Sequence, residues 1–393
     1  MDYNPFLPEV QENPYPYYAY LREHTPVYQI PGVGAYAISR YDDVMAVLKN
    51  PQMFSSSLLY TAMMGECYPF PPEAPSLPEL DPPVHTIQRK IINRAFTPRR
   101  VASLEAHLRE VGQELIADMA AQGQCDLIRD LAIPVPLITI AELLGVPVER
   151  RADFKRWSDT LVRGMSQTTV PPQEREGILR SNAELRAYLQ EVIAGYRKQP
   201  ADNLLSDLVR AEEENERLTA DQLLSTAVIL LVAGNETTTN LIGNAVLALL
   251  NHPQELAKAQ ANPALIPNLI EETLRYDSPI QILARNTTQE VEIGGTTLPA
   301  GAVAMILFGS ANRDESKFAD PERFDILRKA DGHAAFGFGI HFCLGAELAR
   351  LEAKVALTVL LERFSHLSRT DEPLTRLESV LVRGVKALPV VVR

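Results

Sequence analysis

Apolar residues recur at helical spacing through most of this chain, and one such helical face begins after Thr97. Thr97 is suited to cap a helix, and Pro98 is suited to its first position. The apolar residues that then share one face are Val101, Leu104, Leu108, Val111 and Leu115. The pattern predicts one continuous helix through this stretch.

The longest helical pattern runs from Thr219 to about Leu250. Thr219 and Gln222 have the spacing of a capping box, which marks a helix start. At a rise of about 1.5 Å per residue, the predicted helix is roughly 45–50 Å long. Further helices are predicted at residues 41–48, 148–162, 172–196, 254–261 and 267–276.

Other segments lack helical periodicity. Residues 51–83 crowd Pro, Met and aromatic side chains together, which is typical of a lid or binding loop inside an enzyme. Residues 164–170 are polar and are predicted to form a loop. Gly-rich, strand-like patterns occupy residues 282–305 and 388–392. The whole pattern predicts a mainly α fold with a smaller β portion (α+β), organised as one domain over residues 1–393.

Charge and composition narrow the class of partner. The chain carries 38 Lys and Arg residues against 50 Asp and Glu residues, a formal net charge of -12. Nucleic acid and anionic membranes attract cationic surfaces, so this balance argues against both. The N-terminus has no signal-peptide pattern, and the most apolar run is far shorter than the roughly 20 residues of a membrane span. We therefore expect a cytoplasmic, monomeric protein without membrane attachment.

Three scattered cysteines, Cys67, Cys125 and Cys343, fit a reducing compartment, and one of them stands in an unusual frame. Cys343 lies in the segment FGFGIHFCLG, and a helical pattern follows at once. Glycines let the backbone approach a flat, bulky group, and a helix N-terminus favours the thiolate form of a cysteine. A lone cysteine is usually an inert buried residue, but this frame favours a functional one.

The middle of the long helix carries the second signal, the polar run AGNETTT at residues 233–239. Gly, Asn and three Thr contradict the helix propensity around them, and such conflicts tend to mark functional sites. The hydroxyl of Thr237 can bond to the carbonyl of Ala233 and open a local groove. The alternative is a Thr-rich helix packed on a neighbour.

Two further pairs of residues are, by themselves, weak evidence for a functional site. Glu272 and Arg275 lie three residues apart and can pair on one helix face, although most such pairs are solvated. His85 and Arg89 lie four residues apart, and both suit an anionic group. An ordinary exposed His and Arg would show the same spacing.

Together these motifs resemble the cytochrome P-450 family, from about residue 5 to the C-terminus. The family's ligand loop, Phe-x-x-Gly-x-x-x-Cys-x-Gly, is met by Phe336, Gly339, Cys343 and Gly345. The resemblance implies that family's fold, with haem between a long distal helix and the cysteine-ligand loop and helix. It implies haem b as cofactor and Cys343 as its axial thiolate, a ligand that favours O–O cleavage.

The same resemblance assigns roles to other residues. Glu236 and Thr237 are implied to be catalytic, as the acid and hydroxyl that pass protons to dioxygen. Further haem contacts are implied for Phe336, Gly345, Ala233 and Gly234. The implied partners of the haem propionates are His85, Arg89, Arg285 and His341. A structural triad that clamps the ligand loop is implied for Glu272, Arg275 and Arg323.

The substrate is implied to lie against the long helix and several loops. The implied pocket residues are Ile229, Val232, Ile282, Leu283, Leu381, Val382, Met63 and Met64. All are apolar, so we expect an apolar or amphipathic small molecule.

A basic island stands out in this acidic chain. No acidic residue occurs between Asp81 and Glu105. The cations of this stretch are Arg89, Lys90, Arg94, Arg99 and Arg100. They form either a solvated helix face or a docking patch for an acidic electron donor such as a ferredoxin, steered by charge.

The resemblance therefore predicts a haem-thiolate monooxygenase that inserts one atom of O2 into its substrate, by hydroxylation or epoxidation, with natural-product biosynthesis as the expected setting. Its electrons would come from NAD(P)H through a ferredoxin reductase and a ferredoxin. Two alternatives stay open at this point: a haem-thiolate binding or sensing protein without turnover, and a peroxide-driven peroxygenase.

Overall fold

The computed structural model describes residues 2–57, 67–166, 171–213 and 218–393. Its α-helices are α1 (Pro8–Glu12), α2 (Tyr15–His24), α3 (Tyr41–Lys49), α4 (Val84–Ala95), α5 (Pro98–Ser103), α6 (Glu105–Gln122), α7 (Pro134–Leu143), α8 (Arg151–Ser166), α9 (Pro172–Lys198), α10 (Leu204–Glu213), α11 (Ala220–Asn251), α12 (Pro253–Ala261), α13 (Ile266–Tyr276), α14 (Phe308–Ala311) and α15 (Ala346–Arg363). None of these helices is both long and apolar enough to cross a membrane, within the residues described.

The strands are short by comparison. They are β1 (Val27–Ile30), β2 (Ala35–Ile38), β3 (Phe54–Ser55), β4 (Gln124–Asp126), β5 (Ile282–Thr287), β6 (Val291–Ile293), β7 (Thr296–Leu298), β8 (Val303–Leu307), β9 (Leu367–Arg369) and β10 (Pro389–Val392). The mainly α fold with a smaller β portion is thus confirmed.

The chain divides into two compact units. Unit 1 comprises Met1–Ser55, Glu105–Val135 and Thr237–Arg393, and unit 2 comprises Ser56–Leu104 and Pro136–Glu236. The boundary at Glu236 and Thr237 falls inside α11, which is continuous across it. The assignment of residues 1–393 to one domain stays a prediction.

All the described strands belong to unit 1. A five-stranded sheet has the order β1-β2-β8-β5-β3, and β2 and β8 pair in parallel while the other neighbours are antiparallel. β4, β10 and β9 form a second sheet, and β6 pairs with β7. The predicted strands in residues 282–305 and 388–392 are therefore confirmed, whereas the β1–β2 pair was not predicted.

Helix α15 runs through the core of unit 1. Ala353, Ala356 and Leu357 are fully buried there, in a cluster that also includes Leu241 to Leu249 of α11 and the end of the chain. Gly112 of α6 allows a close approach, because a β-carbon at that position would lie 3.1 Å from Val359. Side chains of this size could not pack so closely without a glycine.

Unit 2 contains helices, turns and irregular segments but no strand among its described residues. Phe154 and Trp157 of α8 pack on Tyr188 of α9, with ring centroids 5.7 and 5.5 Å from that of Tyr188. The guanidinium of Arg150 lies 4.8 Å from the centroid of Tyr188, in cation–π geometry. Burial of these rings holds α8 against α9.

Both predicted helix starts are confirmed by their hydrogen bonds. The amide of Gln222 donates to the Thr219 hydroxyl at 3.2 Å, and the Thr219 amide donates to the Gln222 side chain at 3.0 Å. The Thr97 hydroxyl accepts from the amide of Arg100 at 3.2 Å. Each cap satisfies amides that the first helical turn leaves unpaired.

The prediction of one continuous helix after Thr97 was wrong, because α5 ends at Ser103 and α6 begins at Glu105. The Ser103 hydroxyl donates to the carbonyl of Arg100 at 2.7 Å and competes with the backbone there. The amide of Leu104 turns back to Val101 at 3.1 Å instead of continuing the α-helical ladder. The spacing of apolar residues does not indicate this break between α5 and α6, because it continues unchanged across Leu104.

The predicted triad needs one correction. Arg275 donates to both carboxylate oxygens of Glu272, at 2.8 and 2.9 Å, and neither side chain is exposed. The third member is Arg328, whose Nε donates to Glu272 at 3.2 Å. Arg323, the predicted member, contributes only its backbone carbonyl, and its side chain is 62% exposed beside Asp325. Both arginines lie outside the helices and strands, where the side chain of Arg328 points towards Glu272 and that of Arg323 towards solvent.

Removing the donors of Arg328 is expected to destabilise the fold. We predict that Arg328→Met lowers the free energy of unfolding by about 2 kcal/mol, because a buried carboxylate and two backbone carbonyls each lose a donor. The matched control, Arg323→Met, should change it by less than about 0.5 kcal/mol, since its side chain is exposed. Denaturant unfolding followed by circular dichroism measures both, and a larger effect in the control would restore Arg323 to the triad.

Candidate functional site

The loop that carries Cys343 folds back on itself within unit 1. The Cys343 amide donates to the carbonyl of Phe336 at 2.9 Å, which closes the segment between them. Gly337 and Gly339 have φ of 69° and 70°, a region that favours glycine. A β-carbon at Gly339 would also lie 2.8 Å from the carbonyl oxygen of Leu48 in α3, so no larger residue fits.

The surface of this loop is apolar and open. Phe338 and Phe342 are 43% and 42% exposed, unusual values for phenylalanine, and Ile340 and Leu344 are half-buried. A β-carbon at Gly345, which precedes α15, would meet no atom within 4 Å. A half-buried thiol on an open apolar loop fits a flat apolar ligand that carries a metal with an affinity for sulfur.

The other two cysteines lie in different surroundings. Cys67 and Cys125 are both buried, with exposed fractions of 2% and 6%. Burial, together with the nearby Asp130 and Asp126, raises the pKa of the Cys125 thiol to about 11. A thiol held in its protonated form is a poor metal ligand, so the environment favours Cys343 among the three.

The middle of α11 breaks the burial pattern of that helix. Ala233 is exposed, and Gly234, Glu236 and Thr237 are half-buried, while the residues on either side of this stretch are mostly buried. Asn235 donates to the Ser158 hydroxyl at 3.1 Å, within unit 2. The helix itself is unbroken from Ala220 to Asn251, so the predicted groove does not interrupt it. The polar run therefore leaves one open patch on a helix that is otherwise packed.

Basic side chains assigned to the propionates lie in both units. His85 is buried and Arg89 half-buried on α4 of unit 2, and a single helix carries both as predicted. In unit 1, Arg285 is 7% exposed on β5, and His341 is half-buried at the end of a short 3-10 helix. Imidazole and guanidinium donors of this kind suit carboxylates.

The predicted pocket residues are partly brought together. Within unit 1, the amide of Gln281 donates to the carbonyl of Leu381 at 2.8 Å, and Ile280 forms a β-bridge with Val382. Ile282 and Leu283 are neighbours on β5, so their side chains point to opposite faces.

Ile282 packs in the hydrophobic cluster that includes Tyr3 and Tyr18, and Leu283 packs against a different cluster. The prediction that Ile282 and Leu283 line one pocket was therefore wrong. Ile229 and Val232 are buried on α11 in unit 2. Met63 and Met64 lie outside the described residues.

The residues of the basic island differ in exposure and in ion pairing. Lys90, Arg94 and Arg99 are exposed. Arg100, in contrast, donates to Asp207 at 2.6 Å and to Asp202 at 3.3 Å, so its charge is offset within unit 2. Spacing along the chain does not indicate this pairing, because the two acids lie about a hundred residues away from Arg100.

Comparisons with known proteins identify the family of this chain. The family model described as Cytochrome P-450 matches residues 5–388. Cytochrome P-450 107B1 of Saccharopolyspora erythraea is 41% identical over 95% of this chain and 93% of its own length. The vitamin D(3) 25-hydroxylase of Pseudonocardia autotrophica is 40% identical over 96% of this chain and 94% of its own length.

The fold of this chain is also similar to that of a solved cytochrome P-450 structure. The cytochrome CYP109Q5 from Chondromyces apiculatus has a TM-score of 0.89 and 43% sequence identity, covering 100% of this chain and 98% of its own. The long helix, the cysteine loop and the helix after it thus belong to an established architecture. This chain is a member of the cytochrome P-450 family, the monooxygenases that carry haem with a cysteine thiolate as the iron ligand.

Proposed function

We propose that Cys343 is the thiolate ligand of the haem iron and that the enzyme oxidises an apolar or amphipathic small molecule with electrons from a ferredoxin. The observation that carries this proposal is the half-buried thiol of Cys343 on an open, apolar, glycine-shaped loop. When bound, haem supplies the reductive activation of O2 and the insertion of one oxygen atom into the substrate. The cytoplasm remains the proposed compartment.

The chain's own residues prepare the thiolate. The closed loop between Phe336 and Cys343 fixes the backbone on which the sulfur stands. The N-terminus of α15, which begins at Ala346, directs unpaired amides towards this end of the loop and stabilises negative charge there. Four basic residues, His85, Arg89, Arg285 and His341, are proposed to hold the two propionates. Ala233, Gly234, Phe336 and Gly345 are proposed to contact the haem faces.

Proton delivery is assigned to Glu236 and Thr237 in the open patch of α11. Half-buried carboxylate and hydroxyl groups, adjacent along the helix, can take a proton from water and hold it close to the reaction. The intact pair favours turnover over mere haem binding, and it favours O2 over peroxide as the oxidant, because neither alternative needs this relay.

The substrate is proposed to be apolar because the remaining pocket residues are all aliphatic. These are Ile229, Val232, Leu283, Leu381 and Val382. The Pseudonocardia relative is, by its name, a 25-hydroxylase of vitamin D(3). We infer that the substrate of this chain is an apolar or amphipathic small molecule, in keeping with natural-product biosynthesis.

Replacing the proposed ligand is expected to abolish the haem-thiolate signature. In Cys343→Ser, the reduced protein with carbon monoxide should lose the strongly red-shifted Soret band, since serine offers no thiolate. The control Cys125→Ser should keep this band, because the Cys125 thiol is buried elsewhere in unit 1. A thiolate-type band that survives in Cys343→Ser would contradict the proposed ligand.

Removing the relay hydroxyl should uncouple the reaction. In Thr237→Ala we expect haem binding to persist while product formed per NADPH falls by about tenfold or more, with hydrogen peroxide released instead. The measurement uses a surrogate ferredoxin pair and a compound selected by its spin-state shift. Thr239→Ala is the control, because the Thr239 hydroxyl donates to the Ala132 carbonyl at 3.1 Å and has a packing role. Unchanged coupling in Thr237→Ala would remove Thr237 from the relay.

Charge reversal tests the proposed docking patch, which we now restrict to the exposed cations Lys90, Arg94 and Arg99. We expect Arg99→Glu to slow reduction by ferredoxin by about tenfold at low ionic strength, because steering is electrostatic. The difference should shrink as salt is added. Lys198→Glu reverses an equally exposed cation in unit 2 and should leave the rate nearly unchanged. Equal rates for both variants at low salt would place the donor elsewhere.

A further inference from the structure

A cluster of three charged or polar residues in unit 1 has no role in the function proposed above. It consists of Glu271 on α13, Arg350 on α15 and His333 in the segment before the cysteine loop. Arg350 donates to both carboxylate oxygens of Glu271, at 2.7 and 3.0 Å. His333 approaches the second oxygen through Nε2 at 3.0 Å, and its side chain is only 5% exposed.

The hydrogen bonds of this cluster have fixed directions. Burial acts to raise the pKa of Glu271, but the bonds from His333 and Arg350 outweigh it and lower the pKa to about 2. Glu271 is therefore ionised at neutral pH and accepts, so the Nε2 atom of His333 carries the hydrogen. On the other side of the ring, Nδ1 accepts from the amide of Ala335 at 3.2 Å. The imidazole thus links the carboxylate to the backbone of the loop.

The cluster reaches the cysteine loop from both ends. At the start of the loop, Nδ1 of His333 accepts a hydrogen bond from the amide of Ala335. The carbonyl of the next residue, Phe336, accepts a hydrogen bond from the amide of Cys343. At its end, Arg350 lies one helical turn into α15, and its guanidinium stacks 4.6 Å from the centroid of Phe336. One carboxylate therefore connects the segment before Cys343 with the helix after it.

An ordinary surface ion pair would look different. Arg350 also has such a partner, Glu347, at 3.0 Å, but the side chain of Glu347 is 69% exposed and its pair lies one turn along the same helix. Pairs of that kind contribute little to stability. Glu271 instead takes a bidentate guanidinium and a buried imidazole, and it joins parts of the chain that are 62 and 79 residues distant.

We propose that Glu271 is a positioning residue for Cys343: through His333 and Arg350 it holds both flanks of the cysteine loop and thereby sets the orientation of the thiol. The inference rests on the proposed role of Cys343 as iron ligand. Glu271 does not touch the reacting atoms and has no part in proton transfer.

The test compares Glu271→Gln with Glu347→Gln. Each variant removes one negative charge beside Arg350, but only the first breaks the link to His333. In Glu271→Gln we expect the thiolate-type band of the reduced carbon monoxide complex to convert to the thiol-type band about tenfold faster than in Glu347→Gln. We also expect its haem reduction potential to differ from that of Glu347→Gln, because the sulfur environment tunes it.

The conversion rate and the haem reduction potential are both measured well below the unfolding temperature. If Glu271 only stabilised the fold, its replacement would leave the reduction potential unchanged under these conditions. Equal conversion rates and equal potentials in the two variants would overturn the proposal. A wild-type protein without any thiolate-type band would instead reject Cys343 as ligand, so the two failures are distinguishable.

His333 offers a second route if Glu271→Gln does not fold. His333→Gln keeps a donor towards Glu271 but loses the acceptor of the Ala335 amide, and His333→Asn does the reverse. Each breaks the connection at a different end, so each should convert at least about threefold faster than the wild type. If both His333 variants kept the thiolate-type band for as long as the wild type does, the positioning role of Glu271 would be refuted.

Discussion

The buried ion pair of Glu272 and Arg275 organises the part of unit 1 that precedes the cysteine loop. Both side chains are fully withdrawn from water, which is unfavourable for charges unless every donor and acceptor finds a partner. Here they do: the guanidinium also donates to the carbonyls of Asn312, Pro321 and Arg323. Because these carbonyls belong to irregular backbone, the pair fixes turns that no helix or sheet ladder could hold.

Asn312 connects the backbone held by this ion pair to the segment before the cysteine loop. Its side chain donates to the Ser278 hydroxyl at 2.7 Å and accepts the amide of Ala334 at 2.6 Å. Ala334 stands two residues before Phe336, where the cysteine loop begins. The position of the functional thiol thus depends on a chain of hydrogen bonds that starts at a buried carboxylate, and apolar packing around α15 holds the chain in place. The packing determines where the helices lie, and the polar contacts determine where the loop lies.

Features that depend on local sequence could be predicted, and those that depend on long-range pairing could not. The capping box at Thr219, the long helix and the strands after Ile282 all follow from spacing and caps within a few residues. The cysteine motif is equally local. In contrast, nothing near Arg323 or Arg328 indicates which of them turns inward to Glu272, and nothing near Arg100 indicates that Asp207 offsets its charge. The β1–β2 pair was missed because its four-residue strands are too short for a clear alternation.

The contact of Gly339 with the carbonyl of Leu48 has a consequence for anyone who wishes to borrow this loop. The ten residues from Phe336 to Gly345 look self-contained, because their motif is continuous in sequence. Their shape, however, is completed by α3, which lies almost three hundred residues earlier in the chain and presses its last turn against the glycine. A graft of the loop into a designed scaffold would therefore transfer the chemistry only if a second backbone segment were supplied to occupy the place of that helix end.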